Sequence, residues 1–476
     1  MATAPLLRPQ AAWALALLFC AYAALTSRFW EGTRDAFTNA GGDYAALRTE
    51  RAFFGLPVVP VARRLDEVLP RDVPVALSPE LAQDDGLRQR LIEGLYPRRV
   101  DKTAPRILSL NDDGTVRTPE PDPAHAGTAA GPPLERFDFD IPGLVISLCA
   151  LLGFGFAVIS VIPSLRNDLP VAVLAGCAVV AAAVYASTFL QAGAPWWLYR
   201  AAGLACLAYC AARRKLPLPR MAPEGWALVV LIGLLLARMA WLPITGWDGR
   251  SVWLFHAKQI YFQKMMALAD LHHPDWDWSH PVYPFLMPGV MALFGGGGGA
   301  FNERIAALAL PVVWGASLAV AWGLIREHAG RIGGIALAVT LFFGLEMSIG
   351  ELYMDGLVAT LLAIVALSIA SPERRALAVL AGCVVSLVKL EGAIAAGLMM
   401  TAWAVLEGLR GRRGLATAAL VLPLALPIAH WGWRTANGVT EFTASQSIAT
   451  TLDAAPRRLP VLVAGCLLYT SDAADE

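Results

Sequence analysis

Long apolar runs alternate with short polar segments along most of the chain. A bilayer span takes roughly 20 predominantly apolar residues, so the pattern predicts an all-α polytopic membrane protein with about eleven transmembrane helices. The predicted spans lie at residues 11–26, 141–162, 169–190, 196–212, 226–243, 305–325, 332–349, 357–370, 376–388, 393–406 and 415–429.

One apolar run does not fit this series. The segment "PVYPFLMPGVMALFGGGGG", residues 281–299, contains only about a dozen apolar residues, two internal prolines and a glycine tail. Runs of about 10–14 apolar residues are often re-entrant or interfacial. We therefore predict a re-entrant or juxtamembrane helix here, with both ends on the same side of the membrane.

Lysine and arginine positions favour this choice, because these residues concentrate in cytoplasmic loops. If the short run does not span, every basic cluster after the third span faces the cytoplasm. If it does span, the last three clusters move outside. The residues concerned are Arg213, Arg214, Lys215, Arg220, Arg326, Arg331, Arg374, Arg375, Arg410, Arg412 and Arg413.

A polar stretch separates the predicted first transmembrane helix, within residues 1–26, from the remaining spans. Its pattern predicts a strand at 73–77, an amphipathic helix at 79–96 and a second strand at 106–110. We expect residues 27–140 to form a small α/β extracytoplasmic cap, which ends in a Pro- and Asp-rich linker.

Composition agrees with a membrane protein. Hydrophobic residues make up 57% of the chain and charged residues 16%, against about 25% charged in soluble domains. The net charge of zero gives no case for a nucleic-acid partner. Six of the seven cysteines fall in apolar runs and indicate packing rather than a disulfide framework or zinc site. Abundant alanine and an excess of arginine over lysine indicate a bacterial gene, and therefore the bacterial inner membrane.

The C-terminal tail "CLLYTSDAADE", residues 466–476, resembles the translation of a transposase-type sequencing adapter. Such scars are excluded from fold reasoning. The apolar run "LPVLVAG" just before the tail is typical of the start of a span. We therefore expect the natural chain to continue beyond residue 465.

Separate polar insertions gather on the predicted external face. Ionisable groups at membrane depth are costly, and are usually functional or paired with each other. Their convergence on one face is what a site assembled from several helices requires. The insertions are "GWD" at 246–248, "HHPDWDWSHPVYP" at 272–284, "GELYMDG" at 350–356 and "KLEG" at 389–392.

The order of these motifs resembles the GT-C superfamily of membrane glycosyltransferases over about residues 226–438. The matching stretches are "GWDGRSVWLFHAKQIYF", "SHPVYPFLMPGVMAL", "ELYMDGLVATLLAIVAL" and "LVKLEG". They are similar to a mannosyltransferase-like bacterial branch with a WD loop, an H-x-x-YP helix start, a YxxD span start and a K-x-EG turn. The resemblance implies a GT-C-type catalytic module at 226–465, preceded by additional transmembrane helices within 141–225.

The resemblance also implies a reaction. The donor would be a polyprenyl-phosphate-linked sugar, and the acceptor a cell-envelope glycan, lipid or protein. The active site would face the periplasm or exterior. This chain has one aspartate in its first external loop, where the family commonly has an adjacent acidic pair, so dependence on a divalent cation stays open.

Asp248 matches the acidic residue that serves as general base in the family, and a carboxylate can deprotonate an acceptor hydroxyl. Its alternative role is to cap the helix that follows it, because aspartate is a preferred N-cap. Cations usually hold a leaving phosphate, and the candidates are Arg250, Lys258 and Lys389.

The remaining candidates bind substrate. Asp355 or Glu391 can orient the acceptor or bind a cation, and His280 and Tyr283 begin the H-x-x-YP motif. Lys389 and Glu391 can also form a snorkelling pair at a span end.

Aromatic and histidine residues leave two questions open. The tryptophans of the first external loop can stack on sugars or anchor the chain at the membrane interface, where tryptophan is enriched. The histidines there can bind a metal beside Asp275 and Asp277, although their spacing fits no closed zinc motif. The residues concerned are Trp247, Trp253, Trp276, Trp278, His256, His272, His273 and His280.

Two other classes of protein compete with the transferase. A transporter or flippase-like protein tends to have repeated halves and interrupted helices near mid-membrane, whereas this chain shows no internal repeat. A non-catalytic scaffold would account for the cap, but not for the converging charged groups.

Overall fold

The computed structural model describes residues 24, 27–53, 55–56, 58–111, 115–120, 134–162, 164–165, 168–213, 216, 223–273, 275–297 and 299–439. The predicted first span, apart from Ala24, lies outside these residues. So do most of the predicted linker, the basic residues Arg214, Lys215 and Arg220, and the adapter-like tail.

The described part of the cap contains five helices and a small sheet. Strand β1 pairs in parallel with β2, which pairs antiparallel with β3. The predicted helix at 79–96 is two helices, and the Asp84 carboxylate caps the second by accepting from the Leu87 N–H. The three helices before the sheet were not predicted. The elements are α1 Phe29–Thr38, α2 Tyr44–Ala52, α3 Val58–Val68, β1 Ala76–Leu77, α4 Pro79–Gln83, α5 Asp85–Leu95, β2 Ile107–Leu110 and β3 Val116–Arg117.

The rest of the described chain is almost entirely helical. A π-helical turn, Gly249–Leu254, runs directly into α10. A second small sheet joins β4, from the end of the cap, to β6 and β5. The elements are β4 Glu135–Arg136, α6 Ile141–Val161, α7 Leu169–Leu190, α8 Trp196–Ala212, α9 Pro223–Trp241, α10 Phe255–Gln263, α11 Leu268–Leu271, α12 Leu286–Gly295, β5 Gly296–Gly297, β6 Ala300–Asn302, α13 Glu303–Ala307, α14 Ala309–Gly350, α15 Asp355–Ala370, α16 Arg375–Val385, α17 Leu390–Leu409 and α18 Arg413–Ala436.

Within the described residues, five helices are long and apolar enough to cross a membrane. Other predicted spans are shorter helices, and α16 has only 11 residues. Large apolar side chains on the outer helices are exposed, including Leu398 at 70% and Leu409 at 81%. These exposed faces suit a lipid environment and support a membrane protein. The five candidate spans are Ile141–Val161, Leu169–Leu190, Glu303–Ala336, Leu390–Leu409 and Arg413–Ala436.

Helix α12 returns to the end of the bundle from which it starts. It has 10 residues, or roughly 15 Å of helix, which is half the thickness of a bilayer core. The Phe285 N–H before it donates to the Tyr185 hydroxyl near the end of α7. The Leu293 carbonyl accepts from Arg200, near the start of α8. The end of α7 and the start of α8 follow each other in the chain, so they lie at the same end of the bundle. Both ends of α12 are therefore near that end, which agrees with a helix that does not cross the membrane.

Helix α14 is an antiparallel hairpin. Gly330, with φ of 72°, interrupts it, and glycine adopts this backbone conformation without steric cost. The rings of Trp314 and Phe342, on opposite sides of that glycine, lie 5.6 Å apart. The two arms of the hairpin cover the residues of the two predicted spans at 305–325 and 332–349.

The loops that carry basic residues meet at one end of the molecule. Arg374 Nη2 lies 2.5 Å from Glu327 Oε1, and Arg375 Nη2 lies 3.7 Å from Glu407 Oε1. Glu407 also pairs with Arg410 and Arg412. Asp355 and Lys389 begin or precede helices that run toward this end, so the basic loops and the predicted site lie at opposite ends of the bundle.

Candidate functional site

The loop that carries Asp248 is fixed against the turn before α15. The N–H groups of Thr245 and Gly246 donate to Glu351 Oε2 over 3.0 and 2.6 Å. At Gly249, a Cβ would lie only 2.2 Å from the Glu351 carbonyl oxygen, so only glycine allows this approach. Two segments about a hundred residues apart in sequence therefore hold Asp248 beside the start of α15.

Four separate segments bring charged side chains together at this end. Lys389 Nζ lies 2.8 Å from Asp355 Oδ1. Asp248 is within electrostatic range of Lys389, His280, Asp355 and Glu391. Five of the eight site residues predicted from the sequence thus form one group. We name it the external cluster, after the face on which the sequence predicts it: Asp248, His280, Asp355, Lys389 and Glu391.

Asp248 is half-buried, and no described residue donates a hydrogen bond to its carboxylate. Burial raises its pKa, the charges of Lys389 and His280 oppose the rise, and those of Asp355 and Glu391 add to it. A carboxylate with a raised pKa is a stronger base than an ordinary one. The N-cap alternative loses support, because the side chain makes no capping hydrogen bond.

Lys389 stays charged in this environment. Burial alone would lower the pKa of its ammonium group, but the hydrogen bond and charge of Asp355, with Glu391 and Asp248, raise it. Its side chain is only 11% exposed, whereas Asp355 is 62% exposed. The pair therefore presents a fixed cation beside an accessible carboxylate.

A row of rings leads from the surface into the core beside Asp248. Trp247 meets His280 edge-on at 6.0 Å, and His280 stacks on Tyr283 at 4.8 Å. Tyr283 stacks in turn on Trp253 at 5.5 Å. Trp253 is fully buried, and Trp247 is 38% exposed and held by Gln89 of the cap. Tyr283 therefore joins the external cluster through His280, and Trp247 is the ring available for stacking.

The other two tryptophans have packing roles. Trp276 is buried against Tyr96 and Phe255. Trp278 packs on Phe255. Both belong to the apolar contact between the cap and α10, so they are not available for sugar stacking.

Arg250 and Lys258 do not belong to the external cluster, and their predicted phosphate-binding role needs correction. Arg250 is fully buried and pairs with Glu93 and Glu303. Lys258 is 3% exposed and pairs with Glu135. A cation already paired with buried carboxylates cannot also hold a substrate phosphate, so we interpret both residues as structural.

These contacts form a larger buried ionic network between the cap and the helical body. Arg48 pairs with both Glu135 and Glu303, with Nη2–Oε2 distances of 3.3 and 2.8 Å. Arg90 pairs with Glu93. The guanidinium groups of Arg48 and Arg250 lie 4.2 and 4.6 Å from the ring centre of Phe53. The members are Arg48, Arg90, Glu93, Glu135, Arg250, Lys258 and Glu303.

The histidines that the sequence left open as metal ligands are not brought together among the described residues. His256 is buried beside the Ser279 hydroxyl, and burial lowers its pKa to about 3. His272 contacts the Asn437 carbonyl, and His273 stacks on Trp276 at 4.2 Å. No group of three or more His, Cys, Asp or Glu side chains suited to a metal ion occurs in the part of the chain that is described.

Sequence reasoning missed three residues of this region. Glu351 fixes the Asp248 loop, and Tyr353, whose pKa is raised by burial and by the charge of Asp248, lies beside it. Both belong to "GELYMDG", so the motif itself was a signal. Arg434 donates to the Val282 carbonyl over 2.9 Å, which brings a second cation to the H-x-x-YP segment. No local pattern relates α18 to that segment.

Comparisons of this chain with protein-family models, curated proteins and solved structures each find no match. The class that the fold supports is a mainly α-helical membrane protein with a small α/β cap.

Proposed function

We propose that this protein is a GT-C-type glycosyltransferase that moves a sugar from a polyprenyl-phosphate donor to a cell-envelope acceptor on the external face. The observation that carries the proposal is the external cluster. Four segments distant in sequence bring a base, a histidine, a cation and two further carboxylates together at one end of the bundle. A structural ion pair alone needs only two of these groups.

The chemistry assigns each group a step. Asp248 accepts the proton of the acceptor hydroxyl, whose oxygen attacks the anomeric carbon of the donor sugar. The bond between that carbon and the phosphate oxygen breaks as the new glycosidic bond forms. Lys389 stabilises the charge that develops on the leaving phosphate. Arg434, which donates to the Val282 carbonyl next to Tyr283, is a second candidate for this role. Asp355 orients Lys389, and Trp247 offers its exposed face to a sugar ring.

A transporter or flippase-like protein is the alternative. Its binding site would lie near the middle of the membrane, whereas the external cluster lies at the ends of helices. The decisive experiment incubates the purified full chain, in liposomes, with polyprenyl-phosphate sugars. Release of polyprenyl phosphate together with sugar transfer supports the transferase. Movement of intact lipid between leaflets without transfer would support the alternative.

Substitutions around Asp248 are expected to move its pKa in opposite directions. Lys389→Gln removes a positive charge that lowers the pKa of Asp248, so the acid limb of kcat/KM should move to higher pH. Asp355→Asn removes a negative charge that raises it, so the limb should move to lower pH. Shifts of the same sign in both variants would show that Asp248 is not the titrating base.

Topology is expected to place the external cluster outside. Single cysteines at Leu390 and Asp85, in a background without native cysteines, should react with a membrane-impermeant maleimide in intact cells. Cysteines at Glu373 and Arg413 should react only after permeabilisation, because they lie in or beside the basic loops. All four positions are exposed. Labelling of Glu373→Cys from outside would invert the orientation and remove the proposed site from the external face.

A further inference from the structure

A cavity of about 350 Å³ lies beside the start of α8, away from the external cluster. Its walls include the rings of Trp196, Trp197 and Tyr261. Two cations, Arg200 and Lys264, also line it, and none of the lining residues that the structure describes is acidic. The space is therefore an aromatic groove with a positive charge.

The groove lies at the level expected for lipid headgroups. It is formed where α8 begins, next to the spans α6 and α7, and at the same end of the bundle as α12. Trp197 is 68% exposed, and Leu190, at the neighbouring end of α7, is 75% exposed. Tryptophan concentrates at the boundary between hydrocarbon and water.

The two cations of the groove have no carboxylate partner among the described residues. Arg200 donates through Nε and Nη2 to the carbonyls of Leu293 and Phe294 and to the Ser147 hydroxyl. These neutral acceptors fix the guanidinium, and Asp140 acts on its charge through space without forming an ion pair. Lys264 is exposed, and no ion pair or hydrogen bond of its ammonium group occurs within the described part.

We propose that this groove binds the phosphate of an anionic glycerophospholipid from the leaflet on the side of Asp248. Arg200 and Lys264 contact the phosphate, and the tryptophan and tyrosine rings border the glycerol and upper acyl chains. This combination of cations with rings at a membrane boundary matches a lipid headgroup, which is charged at one end and apolar at the other.

The groove is separate from the proposed active site. Thirteen residues of almost continuous helix separate Asp248 from Tyr261, which is roughly 20 Å at 1.5 Å per residue. A phosphate in the groove is therefore too far from Asp248 to be the leaving group of the transferred sugar. The proposal stands whether or not the chain is a glycosyltransferase.

The test measures lipid binding to the purified full chain in neutral detergent by native mass spectrometry. Phosphatidylglycerol is the probe and phosphatidylcholine the neutral reference. The wild type should prefer phosphatidylglycerol, and Lys264→Gln should weaken that preference about fivefold, as loss of one basic contact predicts. Lys102→Gln is the matched control, because Lys102 is an exposed lysine of the cap that already pairs with Asp275. It should leave the preference unchanged.

Arg200→Gln should weaken the preference at least as much, provided that the variant keeps the wild-type melting temperature without lipid. If it does not fold, Lys264→Gln alone decides. Equal binding of the two lipids, or an unchanged preference in Lys264→Gln, would overturn the proposal. Arg200 would then only cap α12, and the tryptophans would be interface anchors. Displacement of phosphatidylglycerol by millimolar inorganic phosphate would also overturn the assignment to a lipid.

Discussion

Asp248→Asn is expected to reduce sugar transfer by about 10²–10⁴-fold, the contribution typical of a general base. The amide keeps the size of the side chain but cannot accept the acceptor proton. The measurement is kcat for transfer from a polyprenyl-phosphate sugar in liposomes, at equal protein level. Asp85→Asn makes the same chemical change at an exposed site of the cap and should retain wild-type turnover.

The thermal stability of the Asp248→Asn variant distinguishes a catalytic role of Asp248 from a structural one. Burial raises the pKa of Asp248, so its folded-state pKa lies above the unfolded value. Its contribution to stability is therefore present at low pH and is lost as pH rises through the raised pKa. At neutral pH the ionised carboxylate does not stabilise the fold, and Asp248→Asn should melt no lower than the wild type. A variant that loses both activity and stability would indicate a helix cap instead.

The apolar pattern predicted the short helix, and the basic residues predicted which loops share one end of the bundle. Both can be read from short windows of the sequence, because each is a local property of the chain. Run length predicted a short helix at 281–299, and the structure has α12 there with both ends at one end of the bundle. The basic loops do meet at the opposite end. The count of eleven spans stays a prediction, because several helices are shorter than a bilayer and the first run lies outside the described residues.

The cap was harder to predict, because its helices are not apolar enough to stand out. Residues 29–68 contain three helices whose apolar positions are interrupted by arginine and glutamate. One of these arginines, Arg48, is 1% exposed. Its burial depends on Glu303, which is 255 residues away, and no short window of sequence contains both partners.

The same limitation explains the correction at Arg250 and Lys258. Within "GWDGRSVWLFHAKQIYF" both residues are cations close to Asp248, which is the pattern expected of phosphate ligands. Their partners Glu93 and Glu135 lie in the cap and its last strand. The cap therefore neutralises the two cations that follow the proposed base in sequence. Of the three cations predicted to bind the phosphate, only Lys389 remains available.

This arrangement gives the cap a definite role. It contributes Gln89 to hold Trp247, and Glu93 to hold the first turn of the helix after Asp248. The body contributes Glu351 to hold the same loop from the other side. The position of Asp248 thus depends on contacts from the cap and from the turn between α14 and α15. None of these contacts needs a substrate.

Glu303→Ala is expected to lower the free energy of unfolding by about 3–5 kcal/mol, since it leaves buried charges without a partner. Glu303 pairs with both Arg48 and Arg250, whose side chains are at most 1% exposed. The measurement is denaturant unfolding of the purified chain in detergent, followed by tryptophan fluorescence. Glu327→Ala is the matched control. Its carboxylate, which pairs with Arg374, is 41% exposed, and exposed pairs contribute about 0–1 kcal/mol.

Arg250→Met should also destabilise the fold, because it removes the pairs of Arg250 with Glu93 and Glu303. An Arg250→Met protein of full stability, but with weaker binding of the polyprenyl-phosphate donor, would contradict the structural role and restore Arg250 as a phosphate ligand.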